Sequence, residues 1–270
     1  MNLKMLLPTY RTRFKSLMQS LASLSDQLDQ GEERVFLNLG CGEGDFDRYI
    51  AQHFSYGVGC DINESDIAFC RSQAGELPVE YFVADAHALK FEANQFDCII
   101  CIDVIEHTED PAQVVMEIAR ILKPSGHAII SFPRLEFPTL YDPINRLLNL
   151  WSKHLPIGAY SFGHNKLVSD AEFMQWIGVA QLEVVSRRSI SGPLVALLEC
   201  YWVGLIQKLL KPNYSNQPGK SNSELKLRPS QGIPTGVFIT DWLIKQDKAL
   251  FSAPARSIGS IYVVKKPEQN

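Results

Sequence analysis

Residues 38–45 combine glycines and polar side chains in a spacing that suits the binding of a small ligand. The segment reads NLGCGEGD and ends an apolar run that begins at Val35. Glycine at positions 40, 42 and 44 lets the backbone turn sharply and approach a ligand without a side-chain clash. A dinucleotide fingerprint would carry its third glycine at position 45, where this chain has Asp45. A carboxylate at the start of a helix disfavours a pyrophosphate, so the turn predicts a ligand without phosphates. A tight turn that binds nothing is the alternative.

Three further aspartates stand where the next predicted strands end. They are Asp61 in GVGCDIN, Asp85 in YFVADAH and Asp103 in CIICIDVIEH. The carboxyl ends of strands in parallel sheets form a binding crevice. Asp61 can accept both hydroxyls of a ribose, Asp85 can bind an adenine amino group, and Asp103 with Asn38 can hold an ammonium or other cationic centre. The set predicts a ligand with adenosine at one end and a cationic amino acid at the other.

The elements that position these residues alternate between short apolar runs and helical patterns. Helices are predicted to begin near Asp45, Glu64 and Asp110. Nearly continuous apolar strands separated by helices indicate a doubly wound, Rossmann-like α/β fold, with a parallel sheet covered by helices on both faces. The predicted strands are 35–39, 57–60, 80–83, 97–102 and 127–132.

The flanking segments add further expectations. Apolar residues at helical spacing predict an N-terminal helix over 11–29 that packs on the core. Residues 134–168, rich in proline and aromatics, are interpreted as a cap over the sheet edge. A capping box at Ser169 starts a helix that ends near Val179, and strands follow over 182–189 and 257–265. The chain therefore divides into residues 1–30, a core of 31–190, an insertion of 191–255 and a final segment of 256–270.

The motifs VFLNLGCGEG, VGCDIN, ADAHALKF, FDCIICIDVIEHTEDP and ILKPSGHAIISFP together resemble the class I S-adenosylmethionine-dependent methyltransferases, over roughly residues 34–133. The resemblance implies a seven-stranded sheet with an antiparallel last strand, and S-adenosyl-L-methionine as cofactor. Asn38 departs from the family pattern, which usually has Asp or Glu there. By resemblance, Gly40, Cys41 and Gly42 line the methionine part, Asp61 and Ile62 the ribose and adenine, Asp85 and Ala86 the adenine, and Asp103 and Val104 the wall near the methyl group.

His107 is the candidate catalytic residue. An imidazole with a pKa of about 6.5 can take a proton from an attacking hydroxyl at neutral pH. The run Asp103-Val104-Ile105-Glu106-His107 is also similar to the metal-holding cluster of ubiquinone-pathway O-methyltransferases. Many relatives carry these letters without a metal, so no metal is predicted. A structural role for Glu106 and His107 in anchoring the next loop is the remaining alternative.

Two other groups of residues have types that could belong to a site. His164 and Tyr160 lie in the predicted cap, and FGHNKL resembles the Gly-His segment that faces the acceptor in small-molecule methyltransferases, so both are candidate substrate contacts. Cys98 and Cys101 are three apart on a predicted strand, where their side chains diverge. They are therefore assigned to packing rather than to metal or redox chemistry.

The insertion contains an almost wholly apolar segment, 193–210, followed by a Pro/Ser/Asn-rich stretch with four basic residues and one acidic residue. An apolar helix beside a cationic segment suits an anionic membrane surface. Peripheral membrane contact through 193–228 therefore competes with a homodimer contact or packing within the chain.

Composition limits the partners. The 270 residues, 46% apolar and 21% charged, indicate a globular protein. A net charge of −4 provides no basic excess for nucleic acid. Six cysteines are too few for a disulfide scaffold, and the first 30 residues lack a secretory signal, so a cytoplasmic protein with reduced thiols is expected.

These observations predict an enzyme that transfers a methyl group from S-adenosylmethionine to a small-molecule or lipid-linked acceptor, at oxygen. Methyltransferases that act on the exocyclic amines of bases typically carry an Asn/Asp-Pro-Pro-aromatic run after the fourth strand. This chain has DVIEH there, which supports an acceptor other than nucleic acid. Two alternatives remain open. One is a catalytically silent, cofactor-binding membrane protein, and the other is an NAD-dependent oxidoreductase.

Overall fold

A seven-stranded sheet forms the centre of the protein. The computed structural model describes residues 2–25, 33–137, 142–155, 166–198, 232–250 and 257–268. In this part of the chain the strand order is β3-β2-β1-β4-β5-β7-β6. The strands are β1 (Val35–Leu39), β2 (Tyr56–Asp61), β3 (Val79–Val83), β4 (Phe96–Ile102), β5 (Leu122–Pro133), β6 (Glu183–Ile190) and β7 (Gly259–Lys265).

Strand direction follows the prediction. Strands β1 to β5 pair in parallel, and β7 is antiparallel to both β5 and β6. The predicted Rossmann-like sheet with an antiparallel last strand is confirmed. The predicted bounds of β1 to β4 agree within one residue. Strand β5 begins at Leu122 rather than 127, because Leu122 already pairs with Phe96 of β4.

Helices flank the strands, and those predicted to begin near Glu64, Asp110 and Ser169 begin at or next to these residues. Asp110 caps α4 and accepts the N–H of Gln113, and Ser169 forms the predicted capping box with Glu172. The first helix begins at Pro8, earlier than predicted. The helices are α1 (Pro8–Ser25), α2 (Asp47–Ile50), α3 (Glu64–Gln73), α4 (Pro111–Ile121), α5 (Pro143–Leu148), α6 (Asp170–Val179), α7 (Pro193–Leu197) and α8 (Val237–Leu250).

The sheet buries apolar residues on both faces, as expected of a doubly wound fold. Leu37 and Cys101 belong to one buried cluster, whereas Phe36 and Cys98 belong to another. Because neighbouring strand residues point to opposite faces, Cys98 and Cys101 diverge as predicted. The five cysteines in the described residues are all free and buried.

The helix α8 lies inside the insertion and was not predicted. It packs against α1, where Asp241 pairs with Arg11 at 3.0 Å. Its buried Asp247 accepts the N–H of Leu194 at 3.0 Å and so caps α7. The predicted helix 193–210 is described only to residue 198, and the rest of it lies outside the described residues. No helix in the described ranges is both long and apolar enough to cross a membrane.

Candidate functional site

The glycine turn between β1 and α2 forms the floor of the candidate site. Gly40, Gly42 and Gly44 have φ values of +70°, +53° and +74°, which side chains rarely allow. The N–H groups of Gly40 and Cys41 bind the Cys60 carbonyl at 2.7 and 3.0 Å, and this holds the turn against β2. A Cβ on Gly42 would meet nothing within 4 Å. The backbone therefore presents an open surface at this edge of the sheet, with the buried Cys41 beside it.

Asp61 ends β2 next to that surface. Its Oδ2 accepts the Gly42 N–H at 2.8 Å, and its Oδ1 accepts the Asn63 N–H at 2.9 Å. Burial raises the pKa of Asp61 above its usual value, and the two N–H bonds offset only part of this shift. A carboxylate has about four acceptor positions, so two remain for hydroxyl groups. The following Ile62 is 65% exposed and offers apolar surface for a flat ring.

Asp85 follows β3 and is fixed by His87. Its Oδ1 accepts the backbone N–H of His87 at 2.9 Å and lies 2.7 Å from the His87 Nδ1. These bonds lower the pKa of the Asp85 carboxyl. The Asp85 side chain is 54% exposed, and the half-buried Ala86 lies between the two residues. An anionic carboxylate is therefore held at the same edge of the sheet as the glycine turn.

Asp103 directly follows β4 and contacts the N-terminal helix. Its φ is +54°, an uncommon value for a residue other than glycine, and such strain concentrates at functional sites. Ser131 donates to its Oδ1 at 2.9 Å, and the Arg13 guanidinium pairs with its Oδ2. The helix α1 thus passes beside the tip of β4. Lys4, from the 3-10 helix before α1, pairs with Glu43 of the glycine turn at 3.3 Å.

Asn38 and Val104 have defined partners around the turn. Asn38 is 4% exposed and donates to the Asp47 carboxylate at 2.6 Å. Burial raises the pKa of Asp47 to about 6, although the Asn38 bond lowers it. The half-buried Val104 lies against Gly40, so that only a glycine fits there. In this arrangement Asn38 contacts the start of α2 rather than Asp103.

Glu106 and His107 have different environments although they are neighbours. Glu106 is 0% exposed, and in the described part of the chain neither carboxylate oxygen has a hydrogen-bond partner. Burial, and next the charge of Asp103, raise its pKa. The His107 side chain is exposed. Among the described residues, no group of three or more His, Cys, Asp or Glu is arranged to hold a metal ion.

The structure therefore brings the predicted turn and the three aspartates to one edge of the sheet. Strands β3, β2, β1 and β4 are parallel neighbours, so their carboxyl ends meet there. His164 and Tyr160 lie outside the described residues. Arg13 and His87 were not predicted as site residues. The ADAHALKF motif placed His87 two residues after Asp85, but nothing in the sequence indicated Arg13.

Comparison with known proteins agrees with this geometry. A family model described as "Methyltransferase domain" matches residues 37–130. The "Ubiquinone biosynthesis O-methyltransferase" of Coxiella burnetii is 29% identical over 145 residues, which cover 52% of this chain and 59% of that protein. The chain thus spans less than two thirds of this relative's length.

Solved structures with low sequence identity share the fold. An S-adenosylmethionine-dependent methyltransferase from Mesorhizobium loti has a TM-score of 0.57 at 16% identity, covering 92% of this chain and 96% of its own. The [4+2]-cyclase SpnF has a TM-score of 0.59 at 14% identity, covering 94% of this chain and 82% of its own. Since one fold can support different reactions, activity has to be argued from the site.

The sheet order, the site and these matches define the class. Residues 37–130 match the methyltransferase domain, and the chain shares its fold with S-adenosylmethionine-dependent methyltransferases, whose cofactor is S-adenosyl-L-methionine. The predicted resemblance to this family is confirmed over residues 37–130, and S-adenosyl-L-methionine is the cofactor of that domain type.

Proposed function

We propose that the protein transfers a methyl group from S-adenosylmethionine to an oxygen of a small-molecule or lipid-linked acceptor. The main support is the convergence of the glycine turn, Asp61, Asp85 and Asp103 at the carboxyl ends of four adjacent strands. The relatives named as O-methyltransferases support oxygen as the acceptor atom. The match of residues 37–130 to a methyltransferase domain weighs against the NAD-dependent alternative.

The residues present fit this cofactor. The open surface at Gly42 suits the methionine part, and the two remaining acceptor positions of Asp61 suit the ribose hydroxyls. Ile62 and Ala86 flank the adenine, and Asp85 accepts from its amino group. Asp103 and Val104 form the wall at the methyl end, with Gly40 and Cys41 below. Asn38 donates to Asp47 and so fixes the start of α2 beside the glycine turn that holds the cofactor.

The chain's own contribution is alignment, exclusion of water and handling of one proton. When bound, the cofactor supplies an electrophilic methyl group. The helix α1 covers the tip of β4 through the contact of Arg13 with Asp103. His107 lies four residues beyond Asp103 and takes the proton from the acceptor hydroxyl. Tyr160 and His164 are proposed acceptor contacts.

Binding and transfer are tested separately. S-adenosylhomocysteine should raise the melting temperature of the purified protein, whereas NAD should not. Tritiated methyl transfer into a fractionated extract, with lipid and aqueous phases counted separately, then tests turnover. Binding without transfer to any fraction supports the catalytically silent alternative. Unchanged transfer by His107→Ala removes His107 from the mechanism.

We also propose peripheral membrane contact through 193–228. Leu197 and Leu198, at the described start of this segment, are each 39% exposed. Flotation with acidic liposomes should recover the wild type but not a variant lacking 193–210. Equal flotation of both contradicts membrane contact, and loss of a dimer in the deletion variant favours a homodimer contact instead. Cytoplasmic localisation stays a prediction.

A further inference from the structure

The two oxygens of the Asp85 carboxylate have different surroundings. Oδ1 carries both bonds from His87, one from the backbone N–H and one involving Nδ1. In the described residues, Oδ2 has no hydrogen-bond partner. Because the side chain is 54% exposed, Oδ2 is accessible to a ligand. His87 thus fixes one oxygen and leaves the other to accept a bond from a ligand.

The contacts of His87 determine its tautomer. The backbone N–H of Asp110 points to the His87 Nε2 at 3.2 Å. An N–H can only donate, so Nε2 is an acceptor and carries no proton. Nδ1 therefore carries the proton and donates a hydrogen bond to the Asp85 Oδ1. The neutral imidazole links an N–H donor on one side to a carboxylate on the other.

The start of α4 holds His87 in place. Asp110 is the N-cap of α4, and Gln113 in its first turn donates to the His87 carbonyl at 3.4 Å. The segment that leads into α4 begins at Asp103 and contains His107. The position of Asp85 is therefore tied to the same loop that carries the proposed methyl-end residues.

We propose that His87 is a positioning residue that aims the Asp85 carboxylate at the exocyclic amino group of adenine, and so gives the site its preference for adenosyl over inosyl ligands. The proposal rests on the proposed function. Hypoxanthine has a carbonyl oxygen where adenine has its amino group, and a carboxylate oxygen held opposite that carbonyl repels it. If Asp85 could rotate, this discrimination would weaken.

Two substitutions separate the two hydrogen bonds of the ring. In His87→Asn the amide nitrogen lies near the position of Nδ1, so the donor to Asp85 is kept. In His87→Gln the side-chain oxygen reaches the position of Nε2, so the acceptor for Asp110 is kept and the donor is lost. His87→Ala loses both. Asp85→Asn serves as the control for Asp85 itself, the residue proposed to recognise the adenine amino group.

The measurement is the ratio of dissociation constants for S-inosylhomocysteine and S-adenosylhomocysteine, obtained by calorimetry on the full chain. One hydrogen bond corresponds to about a three- to tenfold change. We expect this fall in the ratio for His87→Ala and His87→Gln, and a ratio within about twofold of wild type for His87→Asn. A purely structural role would weaken both ligands equally and leave the ratio unchanged.

Three results overturn the proposal. The first is an unchanged ratio of dissociation constants in His87→Ala while Asp85→Asn abolishes the preference for the adenosyl ligand. The second is an equal fall of this ratio in His87→Asn and His87→Gln. The third is an unchanged ratio in Asp85→Asn, because Asp85 then does not read the base. A wild type that binds neither ligand contradicts the proposed function itself, whereas the other results leave it standing.

Discussion

Replacing Gly40 by alanine tests how closely the tips of β1 and β4 pack beneath the proposed cofactor site. A Cβ at this position would lie 2.3 Å from Cγ2 and 3.1 Å from Cγ1 of Val104. The backbone φ of Gly40 is +70°. Gly40→Ala therefore introduces both a steric overlap and a strained backbone conformation. Gly42 provides the matched control, because its φ is +53° and a Cβ there would meet nothing within 4 Å.

The cost of the left-handed backbone applies at both glycines, whereas the cost of steric overlap applies only at Gly40. A left-handed conformation costs an alanine about 1–2 kcal/mol, and overpacking adds about 1–3 kcal/mol. Gly42→Ala should therefore lower the free energy of unfolding by about 1–2 kcal/mol. Gly40→Ala should lower it by about 2–5 kcal/mol. The difference between them measures the contact with Val104.

A double-mutant cycle assigns that difference to one pair. Val104→Ala removes both methyl groups that overlap the new Cβ, so Gly40→Ala should cost about 1–3 kcal/mol less in its presence. Urea unfolding of the four proteins, with unchanged m-values, gives the free energies. Equal destabilisation by Gly40→Ala and Gly42→Ala, or strict additivity in the cycle, would refute this account of the turn.

Three other perturbations have defined outcomes. Asp61→Ala should weaken S-adenosylhomocysteine binding about 10- to 100-fold in calorimetry, because two ribose hydroxyls lose a charged acceptor; unchanged affinity contradicts the role of Asp61. Ser169→Ala should cost about 1 kcal/mol in urea unfolding through loss of the capping box, and Ser169→Asp should restore most of it. Burial lowers the pKa of His127 from 6.5 to about 4, so the unfolded chain binds more protons and stability falls as the pH drops through this range, by at most about 3 kcal/mol. His127→Leu should be less sensitive to pH, and an identical pH profile contradicts this.

The sheet and the strand-end residues could be predicted because their signals are local. Buried parallel strands read as uninterrupted apolar runs, and FDCIICI is buried or half-buried along its whole length. The glycines of the turn occupy positions that need φ above zero, and this requirement is visible in the letters themselves. Once the strand order is parallel, the residues that follow each strand must meet at one edge.

The contacts around that edge could not be predicted, because they join residues far apart in the chain. Arg13 and Asp103 are separated by 90 positions, and Arg11 and Asp241 by 230. Neither arginine differs in its local sequence from an exposed helical arginine. The helix α8 was not predicted for a similar reason. The roles of its acidic residues depend on partners far away in the chain and not on a pattern in the local sequence. Asp241 meets Arg11, and Asp247 caps α7.

The contact between Arg13 and Asp103 contributes more to orientation than to stability. Their side chains are 19% and 22% exposed, and ion pairs near solvent contribute about 0–1 kcal/mol. Leu17, Leu21 and Leu24 on the same helix are at most 3% exposed, and burying each leucine contributes about 1.5–3 kcal/mol. Apolar packing therefore holds α1 on the core, and the ion pair can respond to a ligand without releasing the helix. Residue 13 lies outside the region matched by the family model, residues 37–130. The strand-end carboxylate thus comes from the matched domain, whereas the arginine that contacts it comes from a helix outside that match.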